Sequence, residues 1–75
     1  MRTVTDLIDL FNEELGLGLG PDTAGLPLEA LPGWDSMLLL RAVGVLEAAL
    51  GRQVPVADLL TAGSLEEIHA LAVPA

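Results

Sequence analysis

The sequence predicts an all-α protein, a small four-helix bundle of three principal helices and one short one. Apolar residues recur at three- and four-residue intervals in separate segments, as helices with one buried face require. No segment alternates apolar and polar residues with period two over a useful length, so strands are not expected. Glycine, proline and short polar residues stand at the ends of the periodic segments, where helices start and stop. The chain has 75 residues, 52% hydrophobic and 19% charged, with a formal net charge of −8. That balance describes one collapsing domain over residues 1–75 rather than an acidic disordered tail.

The first helix is expected over residues 3–15. Val4, Leu7, Ile8, Phe11 and Leu15 form its apolar face, Thr3 with Asp6 resembles a capping pair, and Gly16 is placed to stop it. From Gly16 to Gly33, eight glycines and prolines interrupt the chain too often for regular structure. A loop of this length in a compact domain tends to be functional. Leu17, Leu19, Leu26, Leu28 and Leu31 would pin it to the core, with a short helical turn around Leu28–Leu31.

The strongest helical pattern covers residues 36–50. Leu39, Val43, Leu46 and Leu50 make one stripe, and Leu38, Ala42, Val45 and Ala49 a second, together a broad buried face. Met37, Leu40, Arg41, Gly44, Glu47 and Ala48 lie opposite, and Gly51 terminates the helix. Pro55 suits the first turn of a short helix through Val56, Leu59 and Leu60. Ser64 and Glu67 form a capping box for the last helix, which buries Leu65, Ile68, Leu71 and Ala72 and ends at Pro74.

Several function classes are excluded or disfavoured. Arg2, Arg41 and Arg52 are the only basic side chains besides the histidine, far too few and too scattered to track a phosphate backbone, so no nucleic-acid partner is expected. The absence of cysteine removes disulfides, thiolate catalysis and zinc fingers. No apolar run approaches the ~18 residues of a membrane span. Asp6 and Asp9 precede any long apolar run, unlike a secretory signal, so a cytoplasmic location is expected.

Self-contained catalysis is poorly supplied. His69 is the only histidine; it would serve as a general base or ligand, but a surface histidine on a polar helix side is the simpler account. No metal site is expected, and Glu13–Glu14 and Glu66–Glu67 read as solvated faces. Gly16–Gly20 lacks the lysine and preceding strand of a phosphate-binding loop. The informative segment is Trp34-Asp35-Ser36-Met37, where the long loop meets the longest helix. Asp35 or Ser36 can cap that helix. A serine there has a second use: a phosphate ester on its oxygen would meet free backbone amides and the positive end of the helix dipole.

In this order and length the chain resembles the acyl carrier and peptidyl carrier protein family. The resemblance rests on Leu28-Glu29-Ala30-Leu31-Pro32-Gly33-Trp34-Asp35-Ser36-Met37, Leu46-Glu47, Gly51, Val54-Pro55-Val56 and Ser64-Leu65-Glu66-Glu67-Ile68. It implies the four-helix carrier-protein bundle, with Ser36 as the attachment point of 4′-phosphopantetheine transferred from coenzyme A by a phosphopantetheinyl transferase. Asp35 would support the transferase's magnesium ion, a role compatible with capping. The arm's thiol would hold an acyl or aminoacyl thioester, and the protein itself would be a non-catalytic carrier. The chain contributes no thiol of its own, so that chemistry must come from the cofactor.

The second helix is the face that partner enzymes read in this family. Fatty-acid carriers usually present several carboxylates there, whereas this chain has Leu38, Arg41 and Ala48 and keeps Glu47. Met37, Leu40, Arg41, Gly44 and Glu47 are therefore the expected partner-binding residues, facing acyltransferase, adenylating or condensing enzymes. The chain begins at Met1 without flanking linkers, so a discrete, monomeric carrier of a polyketide or nonribosomal peptide pathway is expected, with fatty-acid synthesis as the alternative. Two rival classes are a helical interaction module with Ser36 only a cap, and a catalyst pairing Ser36 with His69.

Overall fold

The computed structural model describes residues 1–73; Pro74, expected to end the last helix, lies outside the described residues. Four helices follow one another: α1 (Val4–Leu15), α2 (Ser36–Leu50), α3 (Val56–Leu60) and α4 (Leu65–Ala72). There is no strand among the described residues. α1 packs against α2 and α4, and α3 bridges α2 to α4. The long connection from α1 to α2 contains two 3₁₀ turns, Pro21–Thr23 and Leu28–Ala30, the second where a turn was expected.

The helix ends follow from their sequences. The Thr3 hydroxyl accepts from the Asp6 amide at 3.4 Å, and the Asp6 carboxylate accepts from the amides of Thr3 and Arg2 at 3.2 and 2.9 Å. Gly16 and Gly51 close α1 and α2 in the left-handed conformation, each at φ 69°. At α4 the Ser64 hydroxyl accepts from the Glu67 amide at 3.3 Å. The Glu67 carboxylate takes the Gly63 amide rather than that of Ser64, so the expected box closes one residue early. The Arg52 guanidinium donates to the Ala72 carbonyl and covers the C-terminal end of α4.

Leu7, Ile8 and Phe11 of α1, Leu46 of α2, Leu59 of α3 and Leu65 and Ile68 of α4 fill the core. Each such side chain contributes about 1.5–3 kcal/mol by leaving water, the main support of a domain without disulfides. Leu19, Leu28 and Leu31 anchor the long loop as expected, and Leu17 packs partly against the core. Two expected core positions, Leu26 and Ala49, are instead exposed, and so is Leu60 of the short helix. Leu26 (42%) and Leu60 (54%) sit on the turn-rich connection and on the outer side of the one-turn α3. Ala49 is exposed because it lines an open groove between α1 and α2.

Asn12 fastens the long loop to α1. Its side-chain amide donates to the Leu19 carbonyl at 2.8 Å, and its oxygen accepts from the Leu19 amide at 2.9 Å. The loop is fastened further on by Leu28 N–H to the Gly63 carbonyl and Glu66 N–H to the Ala24 carbonyl. A chain rich in glycine and proline thus reaches the start of α2 on fixed supports.

Candidate functional site

The approach to α2 is a turn at Gly33, which adopts φ 73° and lets the Trp34 amide reach the Leu31 carbonyl at 3.2 Å. Trp34 packs partly against the core, its ring 6.4 Å from that of Phe11. Asp35 then runs in an extended conformation and caps the helix: its carboxylate accepts from the Leu38 amide at 2.8 Å, and its carbonyl accepts from Leu39 at 3.0 Å.

Because Asp35 is the cap, Ser36 is displaced to the first helical position. It is exposed, and its hydroxyl makes no hydrogen bond among the described residues. The amides of Ser36 and Met37 likewise donate to no protein acceptor there, since the cap satisfies only Leu38 and Leu39. The first turn of α2 carries no acidic side chain. An anion bonded to the Ser36 oxygen would therefore meet two open donors and the positive end of a four-turn helix. A shallow groove of about 320 Å³ opens beside Ser36, walled by Leu28, Glu29, Trp34, Leu39, Leu60 and Ala62. A phosphodiester at the helix end and an apolar chain along the groove both fit these residues.

Around the helix, Met37 is 73% exposed and Leu40 56%, with Arg41 and Gly44 also at the surface. Leu38 is buried. Glu47 is half-buried, and its carboxylate accepts from the Val54 amide at 3.1 Å, which ties α2 to the segment before α3. The groove beside Ser36 was the part that pattern reading missed. Leu60 and Ala62 come from the other side of the chain, and the only available signal was an apolar residue too many for one helical turn.

His69 is not on a solvated face. It is half-buried, and its Nε2 is enclosed without a hydrogen-bond partner. It makes no hydrogen bond to Ser36, so the contact a serine–histidine catalyst requires is missing. No group of three or more His, Asp or Glu side chains is gathered as metal ligands would be among the described residues. No described helix is long and apolar enough to cross a membrane.

A family model described as the phosphopantetheine attachment site matches residues 5–71, from the first turn of α1 into the last turn of α4. The chain belongs to this family. Comparison with curated proteins and with solved structures found no match. Carrier domains of this family bear 4′-phosphopantetheine covalently, are generally non-catalytic and work with partner enzymes such as transferases. The carrier's bundle agrees with the all-α fold that the sequence predicted.

Proposed function

We propose that Ser36 is the attachment residue and that the carrier shuttles acyl or aminoacyl thioesters between enzymes of a polyketide or nonribosomal peptide pathway. The observation that carries the first half is the exposed, unbonded Ser36 hydroxyl beside two open amides, next to a cap that leaves it free. In the loading step the Ser36 oxygen forms a bond to the pantetheine-side phosphorus of coenzyme A. The bond from that phosphorus to the bridging oxygen breaks, adenosine 3′,5′-bisphosphate leaves, and the hydroxyl proton passes to a base of the transferase. The thiol of the attached arm supplies the thioester chemistry. Asp35 holds the amides of α2 in place and offers its second carboxylate oxygen toward the transferase's magnesium ion.

The pathway half is supported by the surface of α2. Met37, Leu40, Arg41 and Gly44 present an apolar strip with one positive charge. Glu47, the only acid on the helix, is already engaged with Val54. A partner that reads carboxylates on α2 would find little to hold there, whereas a partner with an apolar patch and an acidic group would match, so Met37, Leu40, Arg41 and Gly44 form the proposed partner strip, Glu47 bracing it. Intact-protein mass spectrometry tests the attachment. With coenzyme A, magnesium and a broad-specificity transferase, the parent is expected to gain one phosphopantetheinyl group and Ser36→Ala none. An unmodified parent beside a modified control carrier would overturn the assignment.

A further inference from the structure

The groove between α1 and α2 takes no part in attaching the arm. It encloses about 560 Å³ and continues past Leu10 and Ala49 into a second hollow of about 430 Å³ toward Met1. α1 contributes the ridge Asp6–Leu10–Glu14, an acid, an apolar residue and an acid, with the two carboxylates eight residues or roughly 12 Å apart along the axis. α2 contributes Gly44, Val45 and Ala48, with Arg41 exposed at the rim and without an ion-pair partner among the described residues.

Three features mark this as a surface made for another element. Leu10 and Val45 are only partly covered, so the floor is apolar and accessible. Gly44 lies inside α2, where glycine costs about 1 kcal/mol relative to alanine. A Cβ built there meets nothing within 4 Å, so the carrier's own packing gives no reason for the glycine. Its missing side chain does leave room for close approach from outside. The third feature is charge: the carboxyl of Asp6 is held below its ordinary pKa by the amides of Arg2 and Thr3, so that end of the ridge stays anionic on a chain of net charge −8.

We propose that this groove seats a basic amphipathic helix of a cognate enzyme. The apolar stripe of that helix lies over Leu10, Gly44, Val45 and Ala48. Lysines or arginines two turns apart face Asp6 and Glu14, and a carboxylate reaches Arg41. A second copy of the carrier is the poorer occupant, because two chains of net charge −8 repel. The occupant's being an enzyme rests on the carrier reading, but its seat does not require an arm on Ser36.

The test is a nuclear magnetic resonance titration of the isotope-labelled carrier with a helical peptide carrying leucines at i, i+4 and i+7 and flanking lysines. Shifts are expected at Leu10, Glu14, Gly44, Val45 and Ala48, fading as salt rises. A peptide with glutamates for the lysines is expected to leave them unmoved. Gly44→Leu fills open space, and is expected to weaken binding by roughly tenfold through steric overpacking. Undiminished binding to Gly44→Leu, shifts confined to Met37, Leu40 and Leu60, or no shift at large peptide excess in low salt would each overturn the proposal. So would a dimer in sedimentation that is abolished by Gly44→Leu, since it would give the groove to a second copy. Ala48→Leu fills the same groove outside the strip assigned to partner enzymes, and its loading by the transferase is expected to match the parent. Failure of loading in both would sink Ser36 as attachment residue while leaving the titration to decide the groove.

Discussion

Two helices of this carrier start beside a serine, and only one of those serines is used by the fold. At α4, Ser64 is the cap itself. Its hydroxyl accepts from Glu67, the Glu67 carboxylate accepts from Gly63, and two acids, Glu66 and Glu67, occupy the first turn. At α2 the cap is Asp35, one residue ahead of the serine. That single-residue offset leaves Ser36 outside the capping scheme, with its hydroxyl free, two amides open and no acid in the first turn. The same chemistry that locks one helix start leaves the other available to an incoming phosphate. What separates the capping serine from the free one here is register, not residue type.

Exchanging the two serines for alanine should separate their roles completely. Ser36→Ala is expected to abolish the mass gain while moving stability by less than about 0.5 kcal/mol, as for a surface site without partners. Ser64→Ala is expected to load normally and to lose about 0.5–2 kcal/mol, read by thermal unfolding. A destabilised Ser36→Ala with an unaffected Ser64→Ala would reverse the comparison.

The open start also depends on a fixed approach. Asn12→Ala strips the Leu19 amide and carbonyl of their partners, which costs about 1–3 kcal/mol where the groups stay shielded from water. Chemical denaturation should show that loss, with loading retained at temperatures where the fold survives. Asp35 offers a finer cut. An asparagine side chain can still cap, so Asp35→Asn is expected to keep the parent's stability within a few tenths of a kcal/mol, whereas Asp35→Ala loses about 1 kcal/mol. Both are expected to load more slowly, because neither offers magnesium a carboxylate. An Asp35→Asn that loads at the parent's rate would reduce Asp35 to a cap.

The four helices were legible from local signals: three-four spacing in each, polar caps at α1, α2 and α4, terminating glycines after α1 and α2, and Pro55 ahead of α3. The proposed attachment segment stands out for the same reason, since Asp35 and Ser36 are neighbours. What sequence could not show were relations across the chain. Asn12 reads as an ordinary polar helix residue until Leu19 is brought to it. His69 looks solvated until packing encloses its Nε2. Leu60 and Ala62 become walls of the serine's groove only when α3 settles beside the start of α2. Ala49 fits a buried stripe by period alone, and α1 does not extend over it.

A third helix start sharpens the comparison through pH. At α1 the Asp6 carboxylate accepts from the amides of Arg2 and Thr3, and these hydrogen bonds lower its pKa in the folded chain below 3.8. Folding therefore favours the ionised form, and the contribution is fully present above the unfolded value near 3.8. It is lost as pH falls through the lower folded value, when both states bind the proton alike. Asp6→Asn cannot ionise, so its stability should change less with pH in that acid window than the parent's does. The effect is the smallest of the set, because Asp6 is fully exposed and water screens it. Unfolding midpoints followed from neutral pH to below 3.8 should converge for parent and variant. Parallel curves would mean that the closed start of α1 owes nothing to the Asp6 charge, leaving its hydrogen-bond geometry alone to distinguish it from the open start at Ser36.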